Sequence, residues 1–408
     1  MILFLRLALR NVFRNRTRTA VALLAIAAGC AALILNTGIV FNIFRELRED
    51  AIRGRYGHLQ IYRQGYSQHH LEDPEHYLIP PEETQRILSL VRANARVVRA
   101  TRRREFSGLA SIGDRDAPFL GVGVEPEDDA EFSRHTILRA GRPLSGGDSS
   151  AVLAGLGLAQ KLNGQPGDEI SLMTIEGGTL NAVQVRLQGI FEGGFKEYDD
   201  WTLKVPLQVV DQLLMDGQTE QIVVLLARTE DTPQVRAELE ASFQRQGLNL
   251  EIRSWNELAL FHNQVVSLFG RELNVIRLIV AVIVILGIGN TIGMSIVERR
   301  VELATFRALG MRPRAVASLL MTEALITGLM GAILGVLLGI GLAVVVTKVG
   351  ISYPTPPGST RPFLGGVDIV PGAVAAAAIL SVGATIIAAV FPICRAIWRP
   401  VGSALRRG

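Results

Sequence analysis

The residues best able to do work in this chain lie in one short run, Glu298-Arg299-Arg300-Val301-Glu302-Leu303-Ala304-Thr305-Phe306-Arg307-Ala308-Leu309-Gly310-Met311-Arg312-Pro313. Val301, Leu303, Ala304 and Ala308 recur with helical spacing. Gly310 is placed to cap such a helix and Pro313 cannot continue it. The spacing predicts a small amphipathic helix presenting Phe306 and Leu309 between basic and acidic groups. Its chemistry is docking, not bond making. Periodicity leaves two readings open: a helix lying on a lipid surface, or one seated in the groove of a protein partner.

Other chemistry is sparse. The sequence has no G-x-x-x-x-G-K-[ST] run to cradle nucleotide phosphates, no H-E-x-x-H, and no Cys/His metal spacing. His69, His70 and His76 with Glu72, Asp73 and Glu75 surround Pro74, a pattern that reads as a solvated acidic loop. Gly155-Leu156-Gly157 is too short to mark a dinucleotide site. The expectation is no catalytic residue, no metal site and no cofactor in this chain. Arginines flanking the apolar runs explain the formal charge of +4, so no nucleic-acid partner is expected.

Four apolar stretches must position the run: 20–41, 278–297, 324–346 and 372–393. Each is about 20 residues or more, enough to cross a hydrocarbon core of ~30 Å. More than 220 residues separate the first two, room for a domain with its own core. Arg6, Arg10, Arg14, Arg16 and Arg18 precede the first span. Arg299, Arg300, Arg307, Arg312 and Arg314 lie between spans two and three, and Arg395, Arg399, Arg406 and Arg407 follow span four. The 347–370 loop offers only Lys348 and Arg361 near the membrane. Short basic loops stay cytoplasmic, which puts both termini inside and the large domain outside.

The predicted class is a membrane α-helical protein, four transmembrane helices arranged one plus three, with a large α/β extracytoplasmic domain between the first and second. The predicted order is a cytoplasmic amphipathic helix (1–19), span one (20–44), the extracytoplasmic domain (45–270) and span two (271–297). A cytoplasmic loop carrying the short helix (298–314), span three (315–346), an outer loop (347–370), span four (371–394) and a cytoplasmic tail (395–408) follow. A hydrophobic fraction of 49% and a mean hydropathy of +0.30 suit a chain part in lipid and part in water. Cys30 and Cys394 are the two cysteines, so the outer domain has no disulfide framework. Ala28-Gly29-Cys30 resembles a lipoprotein cleavage site, but the apolar run continues beyond it, as in a retained anchor.

Within the outer domain, strands are predicted at 58–62, 106–112, 118–124, 183–191 and 202–205, with a turn at Gly113-Asp114. A helix is predicted over 81–98, and 221–226, 232–246 and 248–253 read as a β-α-β unit. A helix over 255–269 would lead into span two with no flexible linker. In the spans, Glu323 is expected to pair with a nearby arginine. Gly331, Gly335 and Gly339 form a small-x-x-x-small face for close helix packing within the chain.

The run from Glu298 to Gly310 resembles the E-R-R-x-E-[IL]-x-x-[LF]-R-A-[LI]-G motif of the MacB/FtsX-type ABC-transporter permeases. Arg6-Leu-Ala-Leu-Arg-Asn-Val-Phe-Arg-Asn is similar to that family's opening helix. Pro392-Ile-Cys-Arg-Ala-Ile-Trp-Arg-Pro-Val-Gly-Ser-Ala-Leu-Arg is similar to its closing P-x-x-R-A-x-x-x-x-P-[VI]-x-A-L-R. Val152-Leu-Ala-Gly-Leu-Gly-Leu-Ala with Gly167-Asp168 resembles a V-[IL]-[IL]-G-x-x-L-A…G-D stretch, departing from it at Ala154 and Gly155. Gly189-Ile-Phe-Glu-Gly-Gly-Phe-Lys-Glu-Tyr-Asp resembles G-I-F-x-x-G-x-x-E-[YF]-D of the lipoprotein-releasing Lol permeases.

The resemblance implies a multi-pass permease of the bacterial inner membrane working with two copies of a cytoplasmic ABC ATPase, which would bind ATP and Mg. A second permease chain, identical or related, would complete the complex. ATPase coupling would fall to Glu298, Arg299, Arg300, Glu302, Leu303, Phe306, Arg307, Leu309 and Gly310. A substrate cavity for a lipoprotein or lipid would be lined by Ile39, Val40, Phe41 and Phe44 of span one with Phe261, Val265, Leu268 and Phe269 ahead of span two. Two alternatives stay open: a mechanotransmitting efflux permease with a periplasmic adaptor or chaperone, and an FtsX-like regulator of a cell-wall hydrolase.

Overall fold

The computed structural model describes residues 8, 10, 11, 14, 16–70, 72–133, 136–176, 178–353, 360 and 363–397. Arg6, Arg361, Arg399, Arg406 and Arg407, on which part of the charge reading rests, lie outside the described residues. The chain divides into two compact units. One comprises Met1–Phe44, Val265–Tyr353 and Leu364–Gly408; the other comprises Arg45–Gln264 with Pro354–Phe363.

Helix α1 (Arg16–Ala51) gives way to one π-helical turn, Ile52–Tyr56. Gly57 ends that turn at φ 66°, where a Cβ would lie 2.4 Å from Cγ1 of Val223, so only glycine fits. The inserted unit then runs through β1 (Leu59–Arg63), α2 (Pro81–Arg92), the hairpin β2 (Val97–Ile112) and β3 (Arg115–Val124), and α3 (Pro126–Phe132). It continues with β4 (Ile137–Gly141), β5 (Ala151–Gly155), α4 (Leu156–Leu162), the hairpin β6 (Glu169–Glu176) and β7 (Thr179–Glu192), and α5 (Lys196–Trp201). It closes with β8 (Thr202–Pro206), α6 (Leu207–Leu214), β9 (Gln221–Leu226), α7 (Thr232–Arg245) and β10 (Leu250–Ser254).

Among the described residues ten strands are joined in the order β10-β1-β9-β2-β3-β8-β5-β7-β4, with β6 bonded to β2 and β7. Strand β2 serves two lobes. Its 97–103 part pairs with β9, and its 104–112 part pairs with β3. The first lobe buries Leu59, Ile61, Ile87, Val224, Leu239 and Phe243 between strands and the helices α2 and α7. The second buries Phe106, Phe119, Leu158, Leu172, Leu187 and Val205. Each such side chain contributes about 2 kcal/mol, against less than about 1 kcal/mol for an exposed ion pair, so the two cores hold the insert together.

Two expected helices are shorter or broken. The helix over 81–98 stops at Arg92, because the Asn94 side chain accepts from the Arg96 amide at 3.0 Å and turns the chain into β2. The helix over 255–269 is broken. A short turn, Trp255–Leu258, is opened by a Ser254/Glu257 capping box, and Ala259 leaves helical geometry at ψ 64°. Asn263 Nδ2 donates to the Asn256 carbonyl at 2.6 Å, taking the acceptor that a continuous helix would have used. The β-α-β unit at the end of the insert is present: β9 and β10 flank α7 and run parallel to each other, with β1 between them and antiparallel to both.

The remaining helices are α8 (Leu260–Glu298), α9 (Arg300–Ala308), α10 (Pro313–Val349) and α11 (Pro371–Ile397). Helices α1, α8, α10 and α11 are long and apolar enough to cross a membrane. Lipid tails are as apolar as the side chains, so close backbone packing must hold such helices together. A Cβ at Gly331 would lie 2.7 Å from Cβ of Ile26, and one at Gly335 would lie 2.6 Å from Cβ of Cys30. At Gly339 it would lie 3.0 Å from Cδ1 of Ile34, so the glycine face of α10 packs on α1.

Candidate functional site

The site grows from the break between α8 and α9. Arg299 leaves helical geometry at ψ 15°, and α9 starts at Arg300. Arg299 is itself buried. Its Nη1 donates to Oε2 of Glu323 at 2.8 Å, and its Nε donates to Oε2 of Glu302 at 3.1 Å. Asn11 Nδ2 donates to the other oxygen of Glu323 at 2.6 Å. Arg14 Nη2 reaches Glu302 at 2.6 Å, and Arg18 pairs with Glu298. Burial pushes the Glu302 carboxyl up, but the hydrogen bonds from Arg14 and Arg299 outweigh it and hold the group below its usual range. A small cavity of about 90 Å³ adjoins this network, lined by Thr291, Ser295 and Thr327 together with Ile288, Ile292 and Leu320.

Helix α9 has an inner and an outer face. Leu303 and Ala304 are buried, and Phe306 packs half-buried against a cluster that includes Ile296, Val316, Leu320 and Ile393. Val301 and Leu309 stand out at 53% and 80% exposure, with Arg300 exposed beside them. Gly310 lies at φ 93° and ends the element in open space. The coupling set therefore divides in two. Arg299, Glu302, Leu303 and Phe306 fasten α9 to the span unit, whereas Arg300 and Leu309 face outward beside Val301, which lies outside that set. Arg307 is half-buried and Glu298 is exposed and paired.

A family model described as FtsX-like permease C-terminal matches residues 274–401. A second, the MacB-like periplasmic core domain, matches residues 19–242, more than half of the 408 residues. The chain belongs to the MacB/FtsX-type ABC transporter permeases. It is 24% identical over 271 residues to the lipoprotein-releasing system transmembrane protein LolC of Neisseria meningitidis serogroup B. That match covers 62% of this chain and 64% of the relative, just under two thirds of the relative's length. A LolC of Xylella fastidiosa is 23% identical over 352 residues, covering 83% of this chain and 79% of the relative. An uncharacterized ABC transporter permease of Methanocaldococcus jannaschii is 22% identical over 353 residues, covering 83% of each. Among solved structures, the periplasmic region of MacB from Actinobacillus actinomycetemcomitans covers 51% of this chain and 93% of its own at 14% identity, with a TM-score of 0.38.

The second predicted group in this permease is partly brought together. Phe44 and Phe269 meet edge to face with centroids 6.3 Å apart, and Phe41 lies 6.3 Å from Phe44, forming an aromatic row between α1 and α8. Phe41 and Leu268 are exposed, and Ile39 and Val265 are half-buried. Val40 is buried inside the span unit, away from any open surface. The side chain of Phe261 lies outside the described residues.

The histidines are used separately. His70 stacks on Tyr66 with centroids 4.4 Å apart, His69 lies 3.5 Å from Glu72, and His76 meets Tyr77 edge to face. Several contacts of the Arg299 network have no signature in the sequence. Asn11 and Arg14 lie 312 and 288 residues from their partners, too far for any local pattern to link them. One signal was available in the insert. Lys204 stands between Leu203 and Val205 in a strand, and it is buried on Asp129 at 2.9 Å.

Proposed function

We propose that this permease couples ATP hydrolysis by a separate ATPase subunit to the extraction or release of a lipoprotein or lipid-like substrate. The aromatic row of Phe41, Phe44 and Phe269 carries this reading. Two spans that keep large apolar side chains together, with Phe41 40% exposed, offer an acyl chain a lateral surface. The relatives named LolC favour a lipoprotein over a free lipid. The outward residues of α9 would receive two cytoplasmic ATPase copies, which bind ATP and Mg, and a second permease chain would complete the assembly. On this reading the protein sits in the bacterial inner membrane with both termini inside and the inserted domain in the periplasm. The match to the MacB-like periplasmic core favours a second reading, force transmission to a periplasmic adaptor during efflux.

A photo-crosslinker at Phe44 or Phe269 tests the first reading in native membranes. Capture of a lipidated protein without ATP, and its loss when ATP is added, is the expected result. Crosslinks only to permease or adaptor chains would overturn it.

A further inference from the structure

The 189–199 segment, singled out by its resemblance to the Lol permeases, occupies an unexpected place in the insert. It forms the end of β7, a turn at Gly193-Gly194 and helix α5. Asp199, 1% exposed, accepts from the Gly193 amide at 2.7 Å and so closes the turn on itself. Its second oxygen accepts from Thr360 Oγ at 3.1 Å, and the Thr360 amide donates to the Gly194 carbonyl at 3.1 Å. Thr360 belongs to the connector between α10 and α11. The same turn also meets the exit of α1. A Cβ at Gly54 would lie 3.6 Å from the Gly193 carbonyl oxygen, and the Arg55 guanidinium lies over the Tyr198 ring at 5.5 Å. Arg103 Nη1 holds the Arg55 carbonyl from behind at 2.6 Å.

We propose that the 193–199 turn is a mechanical joint tying the α1 exit to the α10–α11 connector, with Asp199 as its positioning residue. Two covalently distant chain segments end on one buried turn, the connector through the two Thr360 hydrogen bonds and the α1 exit through the Arg55–Tyr198 ring contact. A displacement of either segment therefore reaches the other through a few atoms. The segment's role is attachment inside this chain, not contact with substrate. The proposal adds to the functional reading a route by which motion would enter the insert, and it stands on geometry that needs neither ATPase nor substrate.

Hydrogen exchange on the full-length permease in nanodiscs tests it, so its failure is separable from failure of the lipoprotein reading. T360V removes the hydroxyl donor to Asp199, while T360S keeps it. The expected result is exchange about fivefold faster in T360V at the amides of Gly193 and of Gly57, which closes the π-helical turn onto Ile52, the change that losing one ordinary hydrogen bond brings. T360S should exchange like the unmodified chain. Acceleration confined to the Thr360 amide, or equal behaviour of T360V and T360S, would overturn the joint.

Discussion

Arg299 and Glu323 face each other across 24 residues of sequence with a donor–acceptor distance of 2.8 Å, their side chains only 8% and 14% exposed. The pair fixes the start of α9 against α10. The charges of the Glu298–Gly310 run that look most like a docking signature are thus partly spent inside the chain.

Removing one partner of such a pair strands the other. E323A should destabilise the full-length permease by about 3 kcal/mol or more. E323Q keeps an acceptor for Arg299 and should cost less. Thermal unfolding of the purified protein decides this, and an E323A melt equal to the unmodified one would show the pair to be incidental.

The two faces of α9 should separate by mutation. L309D and V301D, which alter exposed side chains, should leave the fold intact and release the ATPase, at a cost of about 2 kcal/mol or more if either is a binding anchor. F306D instead places a charge against Ile296 and Leu320 and should lower the melting temperature. Co-purification together with melting curves distinguishes these outcomes. An ATPase that stays bound to both outward variants would favour a helix that lies on lipid.

His58 makes the insert acid-sensitive. Its Nδ1 accepts from the Leu226 amide at 3.0 Å in a fully buried site, which requires the neutral ring. Burial, the largest cause, pushes the imidazole from 6.5 down to about 4, against an opposing pull from Glu49. The folded value lies below the unfolded one, so stability is full above pH 6.5 and falls as pH drops toward 4. The loss amounts to about 3 kcal/mol. Denaturant titrations of the full chain at several pH values check this, and H58Q should flatten the dependence.

Packing of α10 on α1 should tolerate no added volume. G335L brings side-chain atoms against Cys30 and the Ala27 carbonyl and should cost about 1–3 kcal/mol. G341L, with nothing within 4 Å of its Cβ position, is the control and should melt unchanged.

Sequence and structure agree best where the signal is local. The four spans are legible because about 20 consecutive apolar residues need no tertiary partner to be recognised. The second half of β2 shows its pattern, but the first half does not. Arg99, Arg102, Arg103 and Arg104 interrupt the alternation there, and each finds its partner elsewhere in the fold. Arg99 meets Asp128, Arg102 meets Glu125 and Asp211, Arg103 meets the Arg55 carbonyl and Arg104 meets Asp216. In the candidate site, the helical period located α9 but could not tell its inner from its outer face. Phe306 and Leu309 have the same apolar character, and only the neighbouring α10 and α11 residues decide which is covered. Glu323 was readable as one half of a pair because a lone carboxylate in a span needs a cation.

Strand β2 gives the insert a particular resistance to pulling. Its two halves are bonded to neighbours in different lobes, so tension applied between the lobes runs along the strand. A ladder loaded along its axis is sheared, and its hydrogen bonds must give way together. One loaded crosswise unzips bond by bond. The insert is therefore stiff in stretch while its edge strands, β10 and β4, can still be peeled one bond at a time.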